Sequence, residues 1–599
     1  MKNNLFLRTF VRFVPDFSEA GGDTADLLAS SANLGDLPQL SNLRAPPSPL
    51  PRALPTMALS VTLSASAVAA TTGGRINVKR TSPGRRAARP AARGLVVRVA
   101  ADSDYDAVVI GAGVSGLSTA FTLGRSSPGV RMLVTEARDR VGGNITTKNE
   151  NGYIWEEGPN SYQPGDAILT VACDAGMRDD ILLADPNSDR YVLWDKELRA
   201  LPKDIPTAVL GTFLTWPGKI RAGLGAIGIR PPPPGKEESV KEFVSRNLGT
   251  EAFERLIEPF CSGVYAGDPA ALSSVAATGR VQRLEPLGGS LVFGALKAQK
   301  EAYDAKKAKG PRDPRLPKVE GQTVGSFRGG LKTFPEGLAK ALGSEKVKLE
   351  WKVTKIAKRD DGSFAITYDT PDGAKTITTA TVVMTAPAYV TADTVEDMAP
   401  DAAASLRKFY YPPVASVTVS YPEDSFRLDG TSALPGGGLT GFGQLHPRSQ
   451  GIRTLGTIYS SYLFKDDKRQ PEGEFMILNY IGGARDTGIT ELSDEELVKA
   501  VHEDALKTIL KPGTPLPKVV GVKVWEKAIP QFNLGHLDVL AEAKAGLAKA
   551  GCDGLFLGGN YTAGVALGRC VEFGVEQAKD LEAYLSKQSA KKGASVPAR

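Results

Sequence analysis

The stretch Tyr105–Gly143 constrains this chain more than any other. Tyr105-Asp-Ala-Val-Val-Ile110 is a short β-rich apolar run, as expected of a parallel strand buried on both faces. It passes into Gly111-Ala112-Gly113-Val114-Ser115-Gly116 and then into the helix-like Leu117–Gly124. In such a turn Gly111 permits the tight bend, Gly113 lets the backbone approach a pyrophosphate, and Gly116 lets helix and strand pack closely. The helix opening offers free N–H groups and the positive end of its dipole to phosphate. A second strand, Val130–Thr135, ends in Glu136, twenty residues after Gly116, where an acid accepts hydrogen bonds from a ribose diol. The glycines alone are a weak signal. Strand, turn, helix, strand and acid in that order predict the adenine-nucleotide half of a dinucleotide-binding domain.

Ala137-Arg138-Asp-Arg140-Val-Gly142-Gly143-Asn144 follows directly. A nicotinamide site has no use for two more glycines and two arginines here, whereas a flavin site with a second phosphate-approach loop does. The stretch resembles the E-x-x-x-R-x-G-G entry of the FAD-dependent amine oxidase and phytoene desaturase superfamily. The resemblance implies one non-covalent FAD.

At 599 residues the chain is long enough for two or three domains with sizeable cores. No uncharged run of about 18 apolar residues suggests a membrane-spanning helix. The formal charge of +6 misleads. Residues 37–101 hold ten Lys and Arg and no acid, and residues 1–36 hold three bases and five acids, which leaves 60 bases against 62 acids over 102–599. A nucleic-acid surface is therefore not supported. The acid-free segment, rich in Ala, Ser and Arg, reads as an organelle transit peptide. Val97-Arg-Val-Ala-Ala101 resembles a plastid processing site, which puts the mature start near Asp102; Met1 and Met57 are alternative starts. The bland reading of this segment is a basic tail.

Four cysteines without CxxC spacing suit free thiols in a reducing compartment, and Cys570 reads as packing. Of three histidines, His502 reads as a surface residue beside Glu503, and His446 and His536 lack ligand spacing, so no metal site is expected.

Further along, Gly152–Ser161 runs from strand-like alternation into a glycine-containing bend suited to lie against an isoalloxazine. Tyr191–Trp194 and Leu198–Leu201 read as a hairpin. Leu210–Ile229, with Trp216, Lys219 and Arg221, reads either as a helical subdomain with a loose core or as a surface dipping into a membrane interface. Val382–Pro387 is a buried strand returning to the nucleotide domain. In Ser416–Tyr421 apolar and polar residues alternate, which predicts a sheet with one buried face. Ser493-Asp-Glu-Glu496 is a capping box opening a helix through Leu510. Gly554–Tyr561 and Gly564–Gly568 form a second glycine-rich strand-to-helix turn, so the nucleotide domain is discontinuous.

Together with Gly111–Leu117, the motifs Glu157–Ser161, Pro311–Pro317, Phe409–Ala415 and Leu557–Glu572 resemble those of the plastid protoporphyrinogen oxidases, over roughly 102–585. The resemblance implies an α/β chain with a Rossmann-like FAD domain of p-hydroxybenzoate-hydroxylase type, an α+β antiparallel-sheet substrate domain, and a helical membrane-binding domain. The expected division is leader 1–101, FAD domain 102–205, membrane-binding domain 206–320, FAD domain 321–396, substrate domain 397–540, and FAD domain with C-terminal tail 541–599. It implies six-electron oxidation of protoporphyrinogen IX, with three dioxygen reduced to hydrogen peroxide, in heme and chlorophyll biosynthesis. It also implies peripheral attachment to a thylakoid or envelope membrane surface, a homodimer, and competition by diphenyl-ether inhibitors.

The chemistry is carried by the flavin, with no catalytic side chain expected. Implied cofactor contacts are Gly111, Ala112, Gly113, Val114, Ser115 and Gly116; Glu136, Ala137, Arg140, Gly142, Gly143 and Asn144; Gly158, Pro159, Asn160 and Ser161; Val353 by the adenine; and Gly559, Asn560, Val565, Ala566 and Leu567 at the last helix. On the substrate side Arg190 matches an arginine pairing a propionate, a role for which a guanidinium fork is suited. Gly263 matches a glycine whose carbonyl faces pyrrole N–H groups, Phe442 an aromatic stacked on a pyrrole, and Asn160 a position beside flavin and substrate. Rival readings are a carotene desaturase or amine oxidase of the same superfamily, and a non-catalytic binding protein like the GDP-dissociation inhibitors.

Overall fold

The computed structural model describes residues 103–203, 205–429 and 438–594; the expected leader, 1–101, lies outside the described residues. Strand β1 (Tyr105–Ile110) is buried from Asp106 onward and lies parallel to β2 (Met132–Thr135) and β7 (Gly373–Met384). A Val-rich run with neighbours on both edges and both faces covered needs no polar side, which explains its continuous apolarity. The seven-stranded sheet runs β6 (Lys352–Lys358), Phe364–Thr370, β7, β1, β2 and Val347–Lys348. Its seventh strand, β12 (Leu555–Leu557), pairs parallel with the end of β7, so the far end of the chain closes the first sheet. Helix α1 (Val114–Ser126) and the last helix, α6 (Leu567–Ala594), share its apolar cover. They touch at Gly574, where a Cβ would lie 2.7 Å from that of Ser118.

A second seven-stranded sheet runs β11 (Lys518–Trp525), β8 (Val414–Pro422), β10 (Glu474–Gly482), Gly456–Ile458, β9 (Gly443–Leu445), β5 (Arg190–Trp194) and Glu197–Ala200. The expected hairpin is present at Arg190–Ala200, and it joins this second sheet, with Arg190 opposite Gly443. The alternation in β8 does not mark one wet face. Ser416, Thr418 and Ser420 are as buried as Val417, Val419 and Tyr421. The apolar side packs on helix α4 (Asp494–Thr508), and the polar side is covered by a hairpin from the first domain, β3 (Thr147–Glu150) with β4 (Tyr153–Glu156). A Cβ on Gly521, opposite Thr418, would meet Trp155 Nε1 at 2.4 Å.

The capping box of α4 forms as expected: Glu496 N donates to Ser493 Oγ and Ser493 N to Glu496 Oε2. His502 is a correction. It faces the sheet, buried, with Nδ1 2.9 Å from the Tyr421 hydroxyl, because it shares the inward stripe of Leu497, Val498, Val501 and Ala505. Acidic neighbours in sequence do not decide which side of a helix a residue takes.

Between β5 and the return to the first sheet lies a helical unit that includes α2 (Trp216–Ala226), Val240–Leu248, α3 (Glu258–Tyr265) and Leu291–Lys309 around its own apolar core. Its buried charges are paired: Arg246 donates to both Glu238 and Glu285, and Arg230 lies 2.6 Å from Glu285.

At the end of β4, Glu156 is buried beneath the hairpin and accepts from Leu331 N at 2.8 Å and Thr147 Oγ1 at 2.7 Å. Burial nonetheless pushes its carboxyl up to about 7. A raised acid binds its proton more tightly folded than unfolded, so its stabilising contribution is complete below the unfolded value and is lost as pH rises to about 7. Glu156→Gln should therefore gain thermal stability relative to wild type between pH 5 and pH 8, by on the order of 3 kcal/mol. Paired melting curves across that range check it, and a difference independent of pH would contradict it.

Candidate active site

The cradle is built by backbone. Gly111 adopts φ +106° at the turn after β1, where its N–H donates to Thr135 O at 2.7 Å. Gly113 is the N-cap of α1, and a Cβ there would meet nothing within 4 Å, so its missing side chain leaves open space in front of the helix. A Cβ on Gly116 would lie 2.0 Å from Gly111 O, so here glycine serves helix–strand contact. No acid stands in the first turn of α1, and the helix opening has no side-chain cap. The free N–H groups and dipole there suit a diphosphate.

Glu136 follows β2, buried, its carboxylate accepting from Ala112 N at 2.9 Å and Arg138 N at 3.1 Å. Two carboxylate oxygens have further acceptor capacity, so a ribose diol can still be bound. Gly142 and Gly143 both take positive φ, and a Cβ on Gly143 would lie 3.5 Å from Gly113 Cα, which brings the second loop against the first turn. Asn144 donates to Ala528 O at 3.4 Å, and its own carbonyl packs where a Gly158 Cβ would stand, 1.9 Å away. Arg140, expected among the cofactor contacts, directs its guanidinium at the carbonyls of Val141 and Ile145 in its own loop. Burial and the neighbouring Arg138 lower its pKa. Val353 is buried on β6, beside the segment where Trp351 N donates to Glu136 O at 2.8 Å.

The far end of the chain arrives at the same place. Gly559, φ +95°, would set a Cβ 3.0 Å from Thr385 O, and Asn560, Val565, Ala566 and Leu567 lead on to α6. The sequence reading missed Thr385. Its hydroxyl lies 3.0 Å from both Ile110 O and Gly111 O, joining β7 to the first turn. A threonine closing an apolar strand was the available signal. Cys570 is buried against Gly564 O at 3.4 Å, and burial pushes its thiol up to about 11.

On the substrate side Arg190 opens β5. Its Nη2 donates to Thr323 Oγ1 at 2.6 Å, and its guanidinium carbon lies 5.2 Å from the Phe442 ring centre. Burial lowers its pKa, and among the described residues no carboxylate pairs with it. Phe442 is held by its N–H to Asp189 O at 2.7 Å and packs with Val324, next to Thr323. Gly263, on α3, meets the Leu445 side chain of β9 where a Cβ would stand, at 2.3 Å. Leu445 and Val565 both border the helical unit's core, so sheet, helical unit and cofactor turn converge there. Asn160 is buried with Nδ2 unpartnered. Thr323 was also missed; nothing in its sequence context marks it. His446 and His536 are buried on the carbonyls of Thr454 and Tyr561, and burial holds both near pKa 4, so neither supplies a proton here.

Glycine turns from both ends of the chain, two helix openings and an inserted sheet with a desolvated cation fit a flavin-binding oxidoreductase. The model of the flavin containing amine oxidoreductases matches residues 114–581. The chloroplastic protoporphyrinogen oxidase of Oryza sativa subsp. japonica is 54% identical over 84% of this chain and 91% of its own. Protoporphyrinogen oxidase 1, chloroplastic, of Arabidopsis thaliana is 53% identical over 81% and 89%. A crystal structure from Exiguobacterium sp. 255-15 shares the fold, with TM-score 0.62 at 22% identity, over 80% of this chain and 99% of that one. The chain belongs to the flavin-containing amine oxidoreductases, on the branch of the chloroplastic protoporphyrinogen oxidases.

Two substitutions separate the glycines' roles. Gly113→Ala should leave the melting point of the apoprotein unchanged while lowering FAD affinity, since only a bound dinucleotide uses that space. Gly116→Ala should destabilise the apoprotein itself, by about 1–3 kcal/mol from overpacking. Circular-dichroism melts and flavin absorbance after desalting check both.

Proposed function

We propose that this protein oxidises protoporphyrinogen IX to protoporphyrin IX, removing six electrons in three two-electron rounds and passing them to three dioxygen as hydrogen peroxide. The observation that carries the reading is Arg190: a desolvated guanidinium held by Thr323 and Phe442, with no carboxylate partner among the described residues. A buried charge without a partner is costly, and a substrate carboxylate relieves it. A propionate does so, and Phe442 sits where a pyrrole ring would stack. Gly263 lets α3 pack on Leu445 of β9 at the edge of this site, and Asn160 offers an unpaired N–H.

Bound FAD supplies the hydride acceptor for a meso carbon and the route to dioxygen. The proton leaves from a pyrrole N–H of the substrate, which suits a chain whose buried histidines His446 and His536 stay neutral. The chain's part is to bind one carboxylate, orient the ring and hold the cofactor. Diphenyl ethers with an acidic group would compete for the same cation and ring.

The reading extends to the location. The relatives' names place them in chloroplasts, and we put this protein on a plastid membrane surface. Among the described residues no helix is long and apolar enough to cross a membrane. Instead Trp216, Ile220, Leu224 and Ile227 form an exposed stripe along and just beyond α2, Trp216 and Ile220 being 62% and 61% exposed. Lys219 Nζ lies 4.6 Å from the Trp216 ring centre, the pairing of aromatic and cation that suits a headgroup boundary.

Two measurements test this. Arg190→Ala should raise KM for protoporphyrinogen IX roughly tenfold to a hundredfold in an aerobic porphyrin-fluorescence assay corrected for autoxidation. A wild type no faster than background would overturn the reaction. Ile220→Glu with Leu224→Glu should abolish co-sedimentation with vesicles of phosphatidylcholine and phosphatidylglycerol while sparing activity in detergent; unchanged binding would remove the membrane surface from α2.

A further inference from the structure

Two carbonyl oxygens of the bend beside the cradle are taken by the substrate sheet. Glu157 O accepts from Ser416 Oγ at 2.8 Å and from Trp525 Nε1 at 2.7 Å, and Gly158 O accepts from the Tyr480 hydroxyl at 2.8 Å. The donors stand on three adjacent strands. Ser416 on β8 lies opposite Tyr480 on β10, and Trp525 on β11 lies opposite Val414, two residues before Ser416. Side chains two apart on a strand share a face, so one corner of one sheet face aims all three donors at consecutive peptide groups. Trp525 reaches further: the Arg138 guanidinium lies 5.9 Å from its ring centre and donates to Gly143 O at 2.7 Å, in the second glycine loop.

The bend is fixed equally from its other side. Glu157 N donates to Thr146 O at 2.8 Å, and Gly158 packs against the Asn144 carbonyl with no room for a Cβ. In a trans peptide the N–H points opposite to the C=O. Drawing the Glu157 carbonyl to the sheet therefore turns the Gly158 N–H away from it. That N–H, and those of Asn160 and Ser161, find no acceptor among the described residues, and Asn160 Nδ2 is buried without one. Burial pushes the Tyr480 phenol well above its ordinary pKa, so it remains a neutral donor.

We infer that Ser416, Tyr480 and Trp525 are positioning residues of the flavin site, fixing the bend Glu157–Ser161 so that its unpaired donors meet the cofactor in one orientation. The same sheet carries Phe442 and Arg190 on and beside its strands β9 and β5, so one rigid element sets both the substrate anchor and the flavin-facing bend. Their donors are engaged by the carbonyls of Glu157 and Gly158, which makes them positioning rather than catalytic residues. The inference rests on the FAD-dependent reading given above.

The test uses the full-chain holoenzyme with Tyr480→Phe, Ser416→Ala and the two combined. Each single substitution keeps the packing shape and removes one donor. The double variant should lose about tenfold in kcat with protoporphyrinogen IX while KM stays within about twofold. Its bound flavin should show shifted visible absorption bands, and the amides of 157–162 should exchange hydrogen faster than in wild type. A purely structural role would lower the melting point without moving the bands. If the double variant does not fold, Tyr480→Phe alone carries the test through bands and exchange. Unmoved bands and exchange, with porphyrinogen oxidation intact, would overturn the positioning and leave the reaction standing. Moved bands and exchange in a protein that does not oxidise the porphyrinogen would support the positioning and overturn the reaction.

Discussion

The fold depends on how closely backbone can approach backbone around Thr385. Its hydroxyl reaches the carbonyls of Ile110 and Gly111, and its own carbonyl lies against Gly559. A Cβ at Gly111, Gly116 or Gly559 would come within 3.0 Å of Thr385 or of the turn itself. Glycine at all three positions lets the first turn, β7 and the terminal turn share one volume. The nucleotide domain must then be assembled from both ends of the chain. Helices α1 and α6 open at the same place, and the substrate sheet and helical unit are loops of chain held between fixed ends.

Charge is handled in two opposite ways. In the helical unit Arg230 and Arg246 meet Glu238 and Glu285, and every buried charge has a partner. Such a network fixes structure and leaves nothing for a ligand. Arg190 is also desolvated, and among the described residues it has a hydroxyl and a ring beside it but no carboxylate. That difference in partners, which sequence does not display, is what underlies the proposed role of Arg190 as a substrate anchor.

Local signals in the sequence were legible where the local chain alone decides the geometry. The turn at Gly111, the helix opening at Gly113, the close packing at Gly116, the acid following β2 at Glu136 and the capping box at Ser493 depend on a few neighbouring residues, and their local geometry has the expected form. What escaped depends on distant chain. Ser416, Thr418 and Ser420 look like a solvated face until the β3–β4 hairpin covers them, and His502 looks exposed until α4 docks on Tyr421. The hairpin at Arg190 was visible, but its parallel pairing with Gly443 was not. Arg140, expected among the cofactor contacts, also donates to the carbonyls of Val141 and Ile145 in its own loop, a brace the sequence does not display.

On the proposed function, substrate and cofactor meet in one site, and the chain's residues bind and orient them. The direct measurement mixes holoprotein with protoporphyrinogen IX in the absence of dioxygen and follows the flavin absorbance by stopped flow. The account predicts that the flavin bleaches at least as fast as turnover, with recovery when air is admitted. A flavin that stays oxidised while porphyrin forms only on admitting air, at the rate seen without protein, would contradict it.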